Sequence, residues 1–314
     1  MWSHRHLLGI AQLSREDILE VLERANEWFD VPRNEAKHAR PLHGRTVINL
    51  FFESSTRTRT SFEVAGKRLG ADVVNVSPQT SSVTKGETLL DTVKNLEALR
   101  ADAIVIRHPA SGAPQFVAEH THTSIVSGGD GSHEHPTQAL LDALTIRRRG
   151  KAFAGLVVAI CGDILHSRVA RSNALLLGAL GAEVRLCGPR TLMPRDVEAL
   201  GPTVRPCARI AEAVADADVV MMLRIQNERL RGAMIASTRE YARTFGLNAR
   251  VLAGAKPDVL VMHPGPINRG VEIDPRVADG SHSVILDQVE AGVAVRMAVL
   301  ELVVRAMDHA RATG

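Results

Sequence analysis

Tyrosine occurs once, tryptophan twice and phenylalanine seven times in 314 residues. Aromatics so few and so scattered cannot supply the stacking platforms that hold single-stranded nucleic acid. An excess of one charge is also missing, because 38 Lys and Arg face 35 Asp and Glu, a net of only +3. No charge run marks a polyanion-binding tail, so nucleic acid is not an expected partner. No uncharged apolar stretch approaches the ~20 residues of a membrane span, and no membrane partner is expected either. The three cysteines, Cys161, Cys187 and Cys207, are odd in number and lack paired metal spacing. They imply neither a disulfide framework nor a zinc ribbon, and a reducing cytoplasm is the expected compartment. Near the amino terminus, the apolar stretch Leu7 to Ala11 is too short for a signal-peptide core. It runs into Ser14, Arg15, Glu16 and Asp17, the signature of a capped helix start.

What the sequence has is aliphatic mass, 45% hydrophobic residues in all, on a chain long enough for two cores. Apolar residues at helical spacing predict a helix from about Arg15 to Phe29. Short β-rich runs then alternate with amphipathic segments: Thr46 to Phe52, a helix through Phe62 and Leu69, Asp72 to Ser77, Glu87 to Leu99, Ala103 to Arg107, Ser124 to Ser127 and Pro136 to Arg149. Such alternation predicts right-handed βαβ units and a parallel sheet. Arg147 to Lys151 interrupts the pattern. A second series follows, with strands near Leu156 to Cys161, Glu183 to Cys187, Asp218 to Leu223 and Asp258 to Met262, and helices near Arg168 to Leu180 and Arg209 to Ala215. The expected fold class is α/β, two doubly wound parallel-sheet lobes with the active site in the interlobe cleft. The expected domains are 1–145, 146–284, and a carboxyl-terminal helix from 285 to 314 that packs back on the first.

Ligands of open parallel sheets bind beyond the carboxyl ends of the strands, and those ends are polar here. The strand at Thr46 runs into Glu53, Ser54, Ser55, Thr56, Arg57, Thr58 and Arg59 at the start of a helix. Hydroxyls, guanidiniums and helix N–H groups together make an anion site, best suited to phosphate. Capping accounts for one hydroxyl but not for two arginines where the helix dipole disfavours cations. Neither G-x-x-x-x-G-K-[ST] nor a strand-borne G-x-G-x-x-G occurs, which favours a small phosphorylated substrate over ATP or NAD. Further strand ends supply Arg107-His108-Pro109 and, after Gly128-Gly129-Asp130, His135-Pro136-Thr137-Gln138. In the second lobe, Gly162-Asp163 precedes Ser167-Arg168, Arg224-Ile225-Gln226 ends one strand, and His263-Pro264-Gly265-Pro266 ends another. Two arginines, Arg168 and Arg224, suit the carboxylates of a second anionic substrate through bidentate pairing.

Ser55-Thr56-Arg57-Thr58-Arg59 with Ser61-Phe62-Glu63, Lys85-Gly86-Glu87-Thr88, Arg107-His108-Pro109 and His135-Pro136-Thr137-Gln138 resemble the aspartate/ornithine carbamoyltransferases in order and placement along nearly the whole chain. Arg224-Ile225-Gln226 with Glu228 and Arg229, and His263-Pro264-Gly265-Pro266, are similar to the aspartate branch. The ornithine branch's His-Cys-Leu-Pro and Ser-Met-Gly segments do not occur. The resemblance implies transfer of the carbamoyl group of carbamoyl phosphate to the amine of L-aspartate, a step of pyrimidine biosynthesis, with no cofactor and no metal. It implies that Ser55, Thr56, Arg57, Thr58, Ser81, Arg107, His135, Gln138, Gly265 and Pro266 bind carbamoyl phosphate. L-aspartate is then held by Lys85, Arg168, Arg224 and Gln226. By the same similarity Thr58, Arg107 and His135 stabilise the developing oxyanion, while Gln138 and carbonyls of the Pro264-Gly265-Pro266 loop accept from the carbamoyl NH₂. Gly265 departs from the Leu more common there. The loop of Ser81 and Lys85 reaches a neighbouring subunit's site in the family, which implies a homotrimer, with regulatory or dihydroorotase-like chains as further possible partners.

Three other readings fit parts of the sequence. Another amino acceptor, such as ornithine, would be distinguished at Arg224 to Gln226. A metal-dependent hydrolase would use His133 and His135, whose i, i+2 spacing can share an ion, although no further ligands complete such a site. A catalytically silent anion-binding protein is the third, against which the intact phosphate and carboxylate positions count.

Overall fold

The computed structural model describes residues 2–31, 39–77, 86–225, 235 and 237–313. The first helix, α1 (Arg15–Asp30), starts at a capping box in which Ser14 Oγ accepts from the Asp17 N–H at 3.1 Å and the Asp17 carboxylate accepts from the Ser14 N–H at 2.9 Å. Its buried face is Ile18, Val21, Leu22, Ala25 and Trp28. Then follow β1 (Thr46–Phe51), α2 (Thr56–Arg68), β2 (Asp72–Val76), α3 (Leu89–Ala98), β3 (Ala103–His108), α4 (Ala113–Ala118), β4 (Ser124–Asp130) and α5 (Pro136–Arg148). The four strands form a parallel sheet in the order β2-β1-β3-β4. Runs such as Ala103 to Ile106 read as unbroken apolar stretches because the strand is fully covered. Ile48, Leu50, Ile104, Ile106 and Ile125 pack there with Val93, Leu96 and Val117 from the helices.

The second series comprises β5 (Val157–Cys161), α6 (Arg168–Ala179), β6 (Glu183–Cys187), β7 (Val204–Cys207), α7 (Ile210–Val214), β8 (Val219–Met222), α8 (Thr238–Phe245), α9 (Ala249–Leu252), β9 (Leu260–Met262) and α10 (Pro275–Ala278). Its five strands are parallel in the order β7-β6-β5-β8-β9. The fifth, β7, is not apparent from the sequence, since Pro206 stands in a run of four residues. The edge position explains this, because only there is a missing ladder donor tolerated. The cysteines are free and buried, and Cys161, Cys187 and Cys207 sit in register across β5, β6 and β7. The last element is α11 (Ile285–Thr313).

The chain divides into two compact units, residues 1–144 with 290–314, and residues 145–289. Within the first, α11 joins α1 through Glu301, whose carboxylate accepts from Arg24 Nε, Arg24 Nη2 and Trp28 Nε1, each at 2.7 Å. No helix among the described residues is long and apolar enough to cross a membrane.

Candidate active site

In both sheets the strand order reverses beside the first strand, between β1 and β3 in one unit and between β5 and β8 in the other. At such switch points the connections leave on opposite faces and open a crevice beyond the carboxyl ends. Four of the polar segments leave from these strands, and those of His135 and His263 follow the neighbouring strands β4 and β9.

In the first unit β1 leads into α2, whose first-turn N–H groups have no carbonyl one turn earlier within the helix. Ser55 occupies the N-cap with an extended backbone, φ −159° and ψ 91°, and its side chain makes no cap hydrogen bond. The first turn holds no acidic residue. Capping therefore does not account for Ser55, and the helix end keeps its positive potential. Thr58 is buried, whereas Thr56 and Arg57 are exposed.

Arg107 ends β3, where the register with β4 shifts so that Ile106 faces Ser127 and Arg107 faces Gly129. The bulge frees the Gly128 carbonyl, which accepts from Arg107 Nη1 at 3.3 Å. The Glu53 carboxylate accepts from Arg107 Nε at 3.1 Å, in a pair that is mostly buried. Glu53 follows β1 and Gly128 lies on β4, so the guanidinium is oriented by the strands on both sides of its own. No local sequence pattern marks this role of Glu53, which the pairing of Phe51 with Arg107 makes possible.

His135 is buried immediately before α5, and its carbonyl accepts from the N–H groups of Gln138 and Ala139. Gln138 lies one turn into the helix and donates from Nε2 to Asp142 Oδ1 at 2.9 Å. The three residues of the His-Glu-His segment have separate surroundings. His133 is half-exposed beside Asp130, at 3.1 Å. The buried Glu134 carboxylate accepts from the backbone N–H groups of Ile10 at 2.7 Å and Ala11 at 3.3 Å. Among the described residues no cluster of three or more His, Cys, Asp or Glu is placed to hold a metal ion.

In the second unit the turn after β5 is built on Gly162, at φ +145°, where a Cβ would lie 2.7 Å from the Leu223 carbonyl oxygen. Asp163 is fully buried and accepts from the His166 N–H at 3.2 Å, with the imidazole 3.0 Å away. Ser167 caps α6 by accepting from the Ala170 N–H at 3.1 Å, and Arg168, the first helical residue, is buried. Arg224 follows β8, the strand paired with β5, so both arginines lie in segments that leave the carboxyl ends of paired strands. After β9, Gly265 adopts φ +65° before a cis bond to Pro266. Its N–H donates to His263 Nδ1 at 2.7 Å. Ser81, Lys85 and Gln226 lie outside the described residues.

Residues 5–148 match the family described as aspartate/ornithine carbamoyltransferase, carbamoyl-P binding domain, and residues 154–303 its Asp/Orn binding domain. The chain is 63% identical to an aspartate carbamoyltransferase catalytic subunit from Sorangium cellulosum, over all of this chain and 97% of that one. Among solved structures it is similar to aspartate transcarbamoylase from Trypanosoma cruzi in complex with carbamoyl phosphate and aspartate. That match has a TM-score of 0.83 and 31% identity over 94% of this chain and 95% of the other. An ornithine carbamoyltransferase from Pyrococcus furiosus aligns with a TM-score of 0.87 and 30% identity, over 95% and 96% of the two chains.

Proposed function

Because the chain belongs to the aspartate/ornithine carbamoyltransferase family, we propose that it transfers the carbamoyl group of carbamoyl phosphate to the amine of L-aspartate, giving N-carbamoyl-L-aspartate and phosphate. The fold is common to both branches and does not choose the acceptor. The observation that carries the choice is the pair of arginines, Arg168 and Arg224, leaving neighbouring strands β5 and β8. Two guanidiniums suit a dicarboxylate through bidentate bonds, and they repel the cationic side chain of ornithine.

In this reading the start of α2 binds the phosphate of carbamoyl phosphate, through its N–H groups and Ser55, Thr56, Arg57 and Thr58. The aspartate amine attacks the carbamoyl carbon, and the carbonyl oxygen gathers negative charge. Thr58, Arg107 and His135 donate to it. Arg107 is held beforehand by Glu53 and Gly128, so little reorganisation is needed as charge develops. The carbon–oxygen bond to phosphate then breaks, and the leaving phosphate takes the amine proton. Carbonyls of the Gly265-Pro266 loop and the Gln138 amide oxygen accept from the carbamoyl NH₂. The proposal extends to a cytoplasmic role in pyrimidine synthesis and to a homotrimer in which Ser81 and Lys85 complete a neighbour's site, with Lys85 and Gln226 contacting aspartate.

The test is an assay of purified protein with carbamoyl phosphate against L-aspartate, L-ornithine and other amines, following phosphate release and carbamoylated product. Turnover with aspartate alone is expected. Turnover with ornithine instead, or metal-dependent hydrolysis without transfer, would overturn the proposal.

A further inference from the structure

Resting on that reading of the site, we propose that Asp142 is a positioning residue that turns the Gln138 amide so that its oxygen, not its nitrogen, faces the carbamoyl NH₂. Asp142 thereby sets the preference for a carbamoyl over an acetyl group.

A side-chain amide has two nearly isosteric ends of opposite hydrogen-bonding sense. Only the oxygen end can accept from an NH₂ group, so a site that recognises carbamoyl must fix which end points where. Gln138 and Asp142 stand four residues apart on α5, neighbours on one helix face. Gln138 Nε2 lies 2.9 Å from Asp142 Oδ1. An ionised carboxylate only accepts, so the amide group that meets it has to be the NH₂. The amide oxygen is then on the side away from Asp142.

This selection requires Asp142 to keep its charge although it is fully buried. A buried charge survives when opposite charge and hydrogen bonds compensate it. Arg296 of α11, itself 4% exposed, is close enough that the Asp142 charge favours its protonated form. Burial pushes the Arg296 guanidinium down to about 10, which leaves it cationic at neutral pH. Arg296 is fixed in turn: Nη1 donates to Ser61 Oγ at 2.9 Å and to the Gly292 carbonyl at 3.0 Å, and the guanidinium lies 5.1 Å over the Phe62 ring. Space there is tight, since a Cβ on Gly292 would stand 2.6 Å from Arg296 Nη1. Ser61 and Phe62 belong to α2, so the cation that stabilises Asp142 is anchored on the helix proposed to bind phosphate.

Acetyl phosphate tests this because a methyl group replaces the NH₂, leaving nothing to donate to Gln138. Affinities of carbamoyl phosphate, acetyl phosphate and inorganic phosphate are measured for the wild type, Asp142→Asn, Gln138→Ala and the double variant. Asn can donate and lets the amide turn over. Asp142→Asn is expected to weaken carbamoyl phosphate by about 10- to 100-fold while the other two ligands change by less than about threefold. Gln138→Ala should lose the same preference, and adding Asp142→Asn to it should change nothing more. If Asp142→Asn does not fold, Asp142→Ser, whose hydroxyl also donates, carries the same expectation. A folded variant that keeps the preference, or that weakens all three ligands alike, overturns the role of Asp142. A wild type that binds the two acyl phosphates alike would instead sink the reading of the site itself.

Discussion

The Gly265 N–H donates to His263 Nδ1 at 2.7 Å, and that one bond settles the state of a buried ring. With Nδ1 accepting, the proton of the neutral imidazole sits on Nε2, which donates to Glu272 Oε1 at 3.2 Å. Glu272 Oε1 also accepts from the Asn268 N–H at 2.6 Å, and the His263 N–H donates to Gln288 Oε1 at 2.9 Å. His263 and Glu272 are both buried. The loop from Pro264 to Asn268 is thus tied at both ends to one His-Glu pair.

His263→Leu keeps roughly the volume and removes both ring nitrogens. It leaves the Gly265 N–H without its acceptor and the Glu272 carboxylate with the Asn268 N–H but without the imidazole donor. The expected cost is about 2–4 kcal/mol of stability, read from the denaturant midpoint at constant slope. A midpoint equal to that of the wild type would show that the pair does not hold the loop.

His135→Ala addresses the chemistry. A donor to a developing oxyanion acts mainly in the transition state, so kcat should fall by about 10²–10³ while the Michaelis constant for aspartate changes little. A raised Michaelis constant with kcat preserved would move His135 from the oxyanion to substrate binding.

Stability should also fall on mild acidification, because of His6. Burial, with Arg5 beside it, pushes the His6 imidazole from 6.5 down to about 4. Its Nδ1 accepts from the Ile125 N–H at 3.0 Å, where the amino-terminal segment bridges to β4. The unfolded chain takes up the proton first, so the contribution of His6 is complete above pH 6.5 and is lost as pH falls towards 4. The ring is partly exposed, and solvent screening reduces the effect to about 1–2 kcal/mol. Unfolding curves at pH 7 and pH 4.5 should differ less for His6→Gln than for the wild type. An unchanged difference would remove His6 from the acid response.

Local spacing explains what the sequence could and could not disclose. The alternation of strands and helices was legible because parallel strands covered on both faces are continuous apolar runs. Short elements were not: α4 has six residues entered through Gly112 and Pro114, and β7 carries a proline, so neither has a period to read. The run from Glu53 to Arg59 reads as a candidate anion site because its residues are consecutive. The clamp of Glu53 on Arg107 depends on strand pairing, and Arg296 comes to Asp142 only through the tertiary packing of α11, so neither leaves a local pattern. Spacing could also mislead. His133-Glu134-His135 has a ligand-like spacing, yet Glu134 is occupied by the backbone of Ile10 and Ala11. The four-residue interval of Gln138 and Asp142 was visible, but nothing in it distinguishes a functional pair from a solvated one.

Sharing of sites between subunits, the least local element of the proposal, can be tested with two inactive proteins. Arg57→Ala removes a charge-assisted phosphate contact at the start of α2, worth about 1.5–3 kcal/mol in binding, and more where charge shifts in the transition state. Lys85→Ala removes a cation proposed to act in the neighbouring subunit's site. When the two are dissociated, mixed and reassembled, some interfaces join an intact Lys85 from one chain to an intact Arg57 from the next. Those sites lack nothing, although each parent has none that is whole. Partial activity is therefore expected in the mixture and in neither parent put through the same treatment alone. Mixed trimers that form, as judged by charge, and stay as inactive as their parents would mean that Lys85 serves its own chain or no site at all.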